Sequence, residues 1–506
     1  MSLEVELKLV LAPGAHVQVR ASPLLQGVEP RQRRHVSTYF DSRGGKLAKA
    51  GCSLRVRRSG ETQVQTLKQA TAANGLFSRD EWQWTIDGDA PDLSLLADLP
   101  VACALSLPKL GRKLVPVHHS DVERTSWQVA HDGSRLQVDL DVGTLRCGAR
   151  EAPLEEVEFE LLQGFPATVV AAARDLAAKL PARLGVLSKA ERGAALAQDR
   201  LGRPAKALPV RITSSMTVAE AFAAIVHGCL KHYRLNEDVV VAERVAEGLH
   251  QARVALRRLR SAFTLFKPII SQDADYQTLR SELRWFTDQL GDARNLDVFL
   301  TRSLGEEDRA AAAMKREQAY TQVIDAMDSA RARLLILDIS GWIATGEWRD
   351  GPRAARPIAA FAGKRLDKLW GTIEPTGRSL MAMDDESRHR LRIQAKKMRY
   401  AGQFFDDLYP ASKHKTRFAK AVEDLQEDLG LLNDLVTARV LTASEAGDQG
   451  GTDEPYGSHR DLVEEEQHLA AAEAALRRLH KAGPYWRSRG KRHAPDSDRV
   501  DGSAKF

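Results

Sequence analysis

The four cysteines of this 506-residue chain, Cys52, Cys103, Cys147 and Cys229, are scattered and form no CxxC pair. That spacing excludes a disulfide framework and a cysteine-held zinc site, and it suits a reducing compartment. Aromatic residues make up only 6% of the chain, too few for a base-stacking surface. No helix-turn-helix or zinc-finger spacing is present to read base edges. No apolar run is long enough to span a bilayer. The opening MSLEVELK also lacks the basic region and apolar core of a secretory signal. These absences give a cytoplasmic reading, with membrane and nucleic acid disfavoured as partners. A further absence is chemical. No Ser, Cys or His in the polar strand segments has a neighbour suited to activate it, so a covalent intermediate is not expected.

What is present divides into two halves. Up to about residue 165 the chain alternates apolar and polar residues in short runs broken by Gly, Pro, Asp and Asn, as in SLRVRRSGETQVQTLKQ (53–69) and LEEVEFELLQG (154–164). A helical segment follows at 167–180, and then a polar stretch with Gly202, Pro204 and Pro209 that reads as a linker. From about 213 the pattern is helical and rich in Arg, Ala and Leu. After 483 the periodicity is lost, and 483–506 reads as a disordered tail. The domains expected are 1–200, a linker at 201–212, and a helical domain at 213–482, whose duplicated units span about 213–350 and 351–482.

The polar faces of the first half carry both signs of charge. In EVELKL, Glu4, Glu6 and Lys8 share one side and Val5, Leu7 and Leu9 the other. Arg55 and Arg57 alternate with Leu54 and Val56. Arg79, Glu81 and Gln83 oppose Trp82 and Trp84. Asp139 and Asp141 alternate with Val138 and Leu140. Glu156, Glu158 and Glu160 alternate with Val157, Phe159 and Leu161, and Lys68 adds a cation. One such strand is a solvated face. Five raise the alternative that the charged faces meet around an enclosed space. Buried charges need partners, a metal or a charged ligand. Carboxylates mixed with Arg and Lys suit a polyanion carrying a hard divalent metal, and by pattern alone a wet, salt-bridged sheet is an equal reading.

These residues resemble the CYTH superfamily, the triphosphate tunnel metalloenzymes. The ExExK signature stands as Glu4-Val5-Glu6-Leu7-Lys8. It is followed in order by TYFD (38–41), LRVR (54–57), TLK (66–68), SRDEW (78–82), ERTSW (123–127), DVG (141–143), EVEFELLQG (156–164) and SKAERG (188–193). Gln83 departs from the pattern, standing where the family often has another acid. The resemblance implies a closed antiparallel eight-stranded β-tunnel with flanking helices. It implies metal carboxylates at Glu4, Glu6, Glu158 and Glu160, with Asp141 and Glu156 nearby, and a phosphate clamp of Lys8, Arg55, Arg57, Lys68, Arg79, Arg124 and Lys189. It also implies metal-assisted hydrolysis of inorganic triphosphate with Mg²⁺ or Mn²⁺, in which Glu4, Glu6 and Lys8 are catalytic. Two alternatives stay open: a non-catalytic polyphosphate-granule protein, and an enzyme acting on an organic triphosphate (thiamine triphosphatase or adenylate cyclase).

The second half contains a repeat. HQARVALRRLRSAFTLF (250–266) aligns without a gap on HRLRIQAKKMRYAGQFF (389–405), an offset of 389 − 250 = 139. Leu290-Gly291 and Leu429-Gly430 keep that offset. His250, Arg253, Arg257 and Arg260 form one helical stripe, and His389, Arg392, Lys396 and Arg399 repeat it. The bland reading pairs these stripes with Asp292, Asp297 and Asp434. The repeat resembles the CHAD domain, which follows CYTH in many bacterial proteins. That implies an all-α pseudo-twofold pair of four-helix bundles binding inorganic polyphosphate, and location at polyphosphate granules.

Overall fold

The computed structural model describes residues 2–69, 78–97, 99, 110–301, 305–375, 380–446 and 459–487. The chain divides into two compact units, Met1–Ile358 and Ala359–Phe506.

The first unit opens with the strands that the alternation predicts. They are β1 (Ser2–Leu11), β2 (Arg31–Ser42), β3 (Cys52–Ser59), β4 (Thr62–Gln69), β5 (Ser78–Ile86), β6 (Leu114–His131), β7 (Ser134–Cys147), β8 (Arg150–Gln163) and the short β9 (Ala182–Leu184). Neighbours run in the order β5-β4-β3-β2-β6-β7-β8-β1-β9, all the pairings are antiparallel, and β1 also pairs with β5. That last pairing closes β1–β8 into an eight-stranded barrel and leaves β9 outside it on β1. Closure removes the sheet edges that an open sheet of this size would expose. The β6–β7 hairpin turns at Asp132-Gly133, both at positive φ (42° and 71°), which is the Asp-Gly sequence a two-residue type I′ turn selects.

The apolar faces point away from the barrel axis. Leu54, Val56, Leu67 and Phe40 pack with Trp82 and Trp84 in one cluster. Leu7, Leu9, Val157 and Phe159 are essentially sealed from solvent beneath helix α1 (Pro166–Lys179) and its buried face of Val169, Ala172, Ala173 and Leu176. Each such side chain contributes about 1.5–3 kcal/mol by leaving water. The charged faces of the same strands therefore turn inward. Helix α2 (Lys189–Ala197) begins at a capping box in which Ser188 and Glu191 satisfy each other's backbone N–H groups.

The helical part of this unit is α3 (Val218–Glu243), α4 (Ala246–Ile270), α5 (Tyr276–Gln289), α6 (Gly291–Phe299), α7 (Glu306–Asp328) and α8 (Ala330–Thr345). The stretch read as a linker has no regular structure, yet it is pinned. The Ala205 N–H donates to Asn236 Oδ1 at 2.9 Å, and the Ala205 carbonyl accepts from Asn236 Nδ2 at 2.9 Å. Arg174 of α1 pairs with Asp338 of α8 at 2.7 Å.

The second unit contains α9 (Ile358–Ile373, its first residue at the unit boundary), α10 (Asp385–Phe404), α11 (Lys413–Ala446) and α12 (His459–Ala482). The repeat is visible in the helix starts, since α4 begins at 246 and α10 at 385, again 139 apart. The copies differ at Leu-Gly: the first breaks at Leu290 into α5 and α6, whereas Leu429-Gly430 lies within the unbroken α11. The segment expected to be without structure starts as packed chain, because Tyr485 is buried against Phe418, Tyr409 and Trp486. Residues 488–506 lie outside the described residues. Among the described residues, no helix is long and apolar enough to cross a membrane.

Candidate active site

The barrel encloses a cavity of about 520 Å³ lined by Glu6, Lys8, Tyr39, Arg55, Arg57, Lys68, Glu81, Arg124, Asp139, Glu158, Glu160 and Lys189, among others. Strand register sets which charges meet. Glu6 sits opposite Glu160, and Lys8 opposite Glu158. Asp139 faces Glu158 and Asp141 faces Glu156 across β7–β8. Arg124 faces Asp141, and Lys68 faces Glu81.

One wall is a dense ion network. The Lys189 ammonium lies 2.7 Å from Asp141 Oδ2 and 2.8 Å from Glu158 Oε1, and it also contacts Glu156. Lys8 Nζ reaches Glu156 at 2.8 Å and Glu158 at 2.9 Å. Arg124 forks onto Asp141 at 2.7 and 2.6 Å and touches Asp139 and Glu158 at 2.5 Å each. Burial disfavours all these charges, yet mutual attraction wins. Against burial, Lys189 and Arg124 hold the Asp141 carboxyl below its ordinary range, and Lys189, Lys8 and Arg124 hold Glu158 well below. Lys189 and Arg124 are raised despite desolvation, by Asp141 first among their acidic neighbours.

The opposite case is Glu160. Burial, then the Glu6 and Asp139 charges, raise its pKa. Lys68 Nζ stands 2.7 Å from Glu81 but 4.0 Å from Glu6. Gln83, the departure from the family pattern, donates its amide to Glu81. The side chains of Glu4 and Arg79 lie outside the described residues; their backbones pair across β1–β5.

A third region is cationic. Desolvation and repulsion from Arg55 and Arg124 push Arg57 down to about 9. Arg55 donates to the Tyr39 hydroxyl, whose pKa falls despite burial because of the Arg55, Lys189 and Arg57 charges. His35 is held at about 4 by burial and by the Arg57 and Arg124 charges, so it is neutral here. Crowded, desolvated cations of this kind are relieved by an anion.

The donors also answer whether a hard divalent cation fits. One oxygen each from Asp141, Glu156 and Glu158 lie within 4.8 Å of one another. The ammonium of Lys189 already sits among them, so that cluster is neutralised by the protein. Glu6 and Glu160 face each other, and Glu160 is raised by burial and then by repulsion from Glu6 and Asp139, which Lys68 offsets only in part. The carboxylate oxygens of Glu6 and Glu160 are the hard donors Mg²⁺ or Mn²⁺ takes.

Several participants carried no signal in the sequence. His118 is buried, pushed down to about 4 by desolvation, and stacks on Tyr39 with ring centroids 4.4 Å apart. A Cβ on Gly193 would sit 2.0 Å from His118 Cδ2. Replacing Gly193 by Ala is therefore expected to cost about 1–3 kcal/mol in urea unfolding, by pushing α2 off that ring. Asp41 of TYFD does not face the cavity; it accepts the backbone N–H groups of Ser42, Leu47 and Ala48 at 2.6, 2.9 and 3.1 Å, capping a one-turn helix.

In the helical half, Ala252, Leu256, Leu259, Phe263 and Phe266 are buried along one side of α4. His250, Arg253, Arg257 and Arg260 are half-buried on the other side of α4. Arg253 is pushed down to about 10 by burial and by Arg257 and Arg294, and its Nη1 and the Arg257 Nε are buried without hydrogen-bond partners. Arg294 is the cation the stripe did not include. Asp297 does not answer the stripe; it accepts from Arg316 at 2.8 Å and Tyr320 at 2.9 Å. In the second copy His389 is exposed, and Arg399 donates to Glu423 at 2.8 Å and Gln426 at 2.7 Å. Arg392 and Lys396 lie half-buried on α10, and the Asp434 side chain lies outside the described residues.

Comparison with known proteins places two families on the chain. The CYTH domain matches residues 2–194 and the CHAD domain residues 224–443. An inorganic triphosphatase of Haemophilus influenzae is 31% identical over 168 residues, which are 32% of this chain and 46% of that protein. The chain thus spans about half the length of the curated relative it matches. Among solved structures, the CHAD domain of the plant Ricinus communis is 29% identical, covering 54% of this chain and 96% of that one at a TM-score of 0.45. A Hippeastrum protein described with a dominant triphosphatase activity is 20% identical, covering 39% of this chain and 97% of that one at a TM-score of 0.29.

Proposed function

This chain carries a CYTH domain over residues 2–194 followed by a CHAD domain over residues 224–443, and from that premise we propose that its tunnel hydrolyses inorganic triphosphate to pyrophosphate and phosphate. The observation that supports this most is the placing inside one cavity of the cations Arg55 and Arg57, Arg57 pushed down to about 9 by burial and by the Arg55 and Arg124 charges, apart from the facing acids Glu6 and Glu160. Phosphate oxygens take the first and a divalent metal the second. The metal, when bound, supplies Lewis-acid charge and a water of lowered pKa. The chain's own residues do the rest. Arg55 and Arg57, with Lys8 and Lys189, grip the phosphate oxygens and stabilise charge developing on the transferred group and on leaving pyrophosphate. Tyr39, stacked on His118, accepts a hydrogen bond from Arg55, and the closed barrel limits the water that reaches the chain of phosphates.

The test is phosphate release from tripolyphosphate by the full-length protein with Mg²⁺ or Mn²⁺, with and without excess EDTA. Turnover that EDTA abolishes is expected. Absence of turnover with either metal, or turnover indifferent to EDTA, rejects the reading.

The helical domain is proposed to bind inorganic polyphosphate. The support is the half-buried His250, Arg253, Arg257 and Arg294 group, in which Arg253 Nη1 and Arg257 Nε are buried without acceptors. Polyanion binding through such contacts weakens steeply with salt. Long-chain polyphosphate should therefore bind the full chain with a strongly negative salt slope, and Arg253→Ala with Arg257→Ala should flatten it. Equal slopes in both proteins count against the assignment.

A further inference from the structure

We propose that Lys231 and Arg234, on the first helix of the helical region, are positioning residues for the tunnel. They bracket a segment outside the barrel that reaches its charged interior through Ser188, Lys189 and Ala190. That segment runs from Leu184 to Glu191. Gly185 packs on the stem of Lys8, since a Cβ there would lie 2.7 Å from Lys8 Cγ, and its N–H donates to the Lys8 carbonyl at 2.8 Å. Four residues later Lys189 delivers its ammonium to Asp141, Glu156 and Glu158. Two of the three cavity lysines, Lys8 and Lys189, thus depend on where this short stretch lies.

Its two ends are held by one face of α3. Arg234 Nε donates to the Leu184 carbonyl at 2.9 Å; the Arg234 side chain is buried and also held by Glu237 and by Asp238 at 3.0 Å. Glu237 in turn takes Arg183 of β9 at 3.3 Å. Three residues before Arg234, and so on the same side of the helix, Lys231 Nζ lies 2.6 Å from Glu191 Oε1. The other Glu191 oxygen accepts from Ser188 N–H at 2.8 Å and from its hydroxyl at 2.9 Å, closing the cap that sets the start of α2. Lys189 is the first residue of that helix. Lys231 therefore bears on Lys189 through a single side chain, and neither Lys231 nor Arg234 lines the cavity.

This inference rests on the triphosphatase reading for its kinetic consequence, and the experiment separates the two. Lys231→Met and Lys231→Arg are made in the full chain. The pair is partly exposed, so the melting temperature should move by less than about 2 °C. Displacement of Lys189 should lower kcat/KM for tripolyphosphate about tenfold in Lys231→Met, and Lys231→Arg should restore it to within about twofold. Independently of turnover, amide hydrogen exchange across 185–191 should quicken in Lys231→Met and return to the wild-type rate in Lys231→Arg. Unchanged exchange overturns the inference whatever the activity. Faster exchange with wild-type kinetics also overturns it, as does a loss that arginine does not rescue. If the wild type itself turns over no tripolyphosphate, the functional reading fails, and the exchange arm still decides whether Lys231 positions the segment.

Discussion

Replacing Lys189 by Met should destabilise the protein by about 3–5 kcal/mol, the range observed when one partner is removed from a buried ion network. The ammonium lies among Asp141 and Glu156, both sealed from solvent, and Glu158. Methionine leaves those carboxylates facing one another, with Lys8 and Arg124 as the remaining counter-charges. The pH dependence separates this cause from simple loss of packing. Asp141 and Glu158 have folded pKa values below their ordinary 3.8 and 4.5, so the stability they contribute is present above that range and is lost as pH falls through the lower folded values. Lys189 is raised above 10.5, so its share is present below that value and is lost as pH rises through the higher folded one. The wild-type advantage should therefore be full between roughly pH 5 and 10. It should shrink below about pH 4, where protonating the carboxylates harms the wild type and relieves the variant. Urea unfolding of both proteins across pH 3–9 measures it. A gap of constant size down to pH 3 would indicate packing alone.

How far this arrangement was legible in the sequence depends on the length scale of each cause. Period-two alternation is local, so EVELKL, SLRVRR and EEVEFELL gave Glu6, Lys8, Arg55, Arg57, Glu158 and Glu160 facing the cavity and Leu7, Leu9, Leu54, Val56, Val157 and Phe159 buried away from it. Leu161, read with the outer face, instead lines the cavity. Which acid meets which cation was not local. It follows from register between strands far apart in sequence, such as Arg124 against Asp141 and Lys8 against Glu158. Register is also what divides the carboxylates into those already neutralised and those still repelling. Asp41 shows the limit of reading a motif: TYFD says nothing of its role, which is set by the open N–H groups of the helix beginning at Lys46. Arg294 escaped the helical wheel because it lies on α6, a separate helix created by the break at Leu290. Lys231 and Arg234 escaped for a related reason, since a linker was expected between the two halves. A tether lets domains move independently, whereas here α3 is bonded to the Leu184 carbonyl and to Glu191, and Ala205 is clamped by Asn236.

The division among the carboxylates carries the second large expectation, which sets Glu6→Gln against Glu156→Gln. The resemblance places Glu6 among the metal carboxylates and Glu156 close by them, yet their surroundings differ. Glu6 lines the cavity opposite Glu160, whose pKa is raised by burial and then by repulsion from Glu6 and Asp139, and among the described side chains Lys68 lies 4.0 Å from it. Neutralising Glu6 removes part of that repulsion, so folding stability should hold or rise slightly. Metal-dependent turnover of tripolyphosphate should nevertheless fall by about 10²-fold or more, the scale of losing a group that acts on the transition state. Glu156 is completely buried and accepts from Lys8 and Lys189. Its amide replacement leaves two ammonium groups short of a counter-charge, so stability should fall by about 3 kcal/mol. Calorimetric titration with Mn²⁺ provides the readout that does not pass through activity. Glu6→Gln should weaken Mn²⁺ binding at unchanged melting temperature, whereas Glu156→Gln should lower the melting temperature and retain Mn²⁺ affinity in the folded protein. Equal losses of Mn²⁺ affinity in both variants would return Glu156 to the metal site and show that Lys189 yields its place there when the ion arrives.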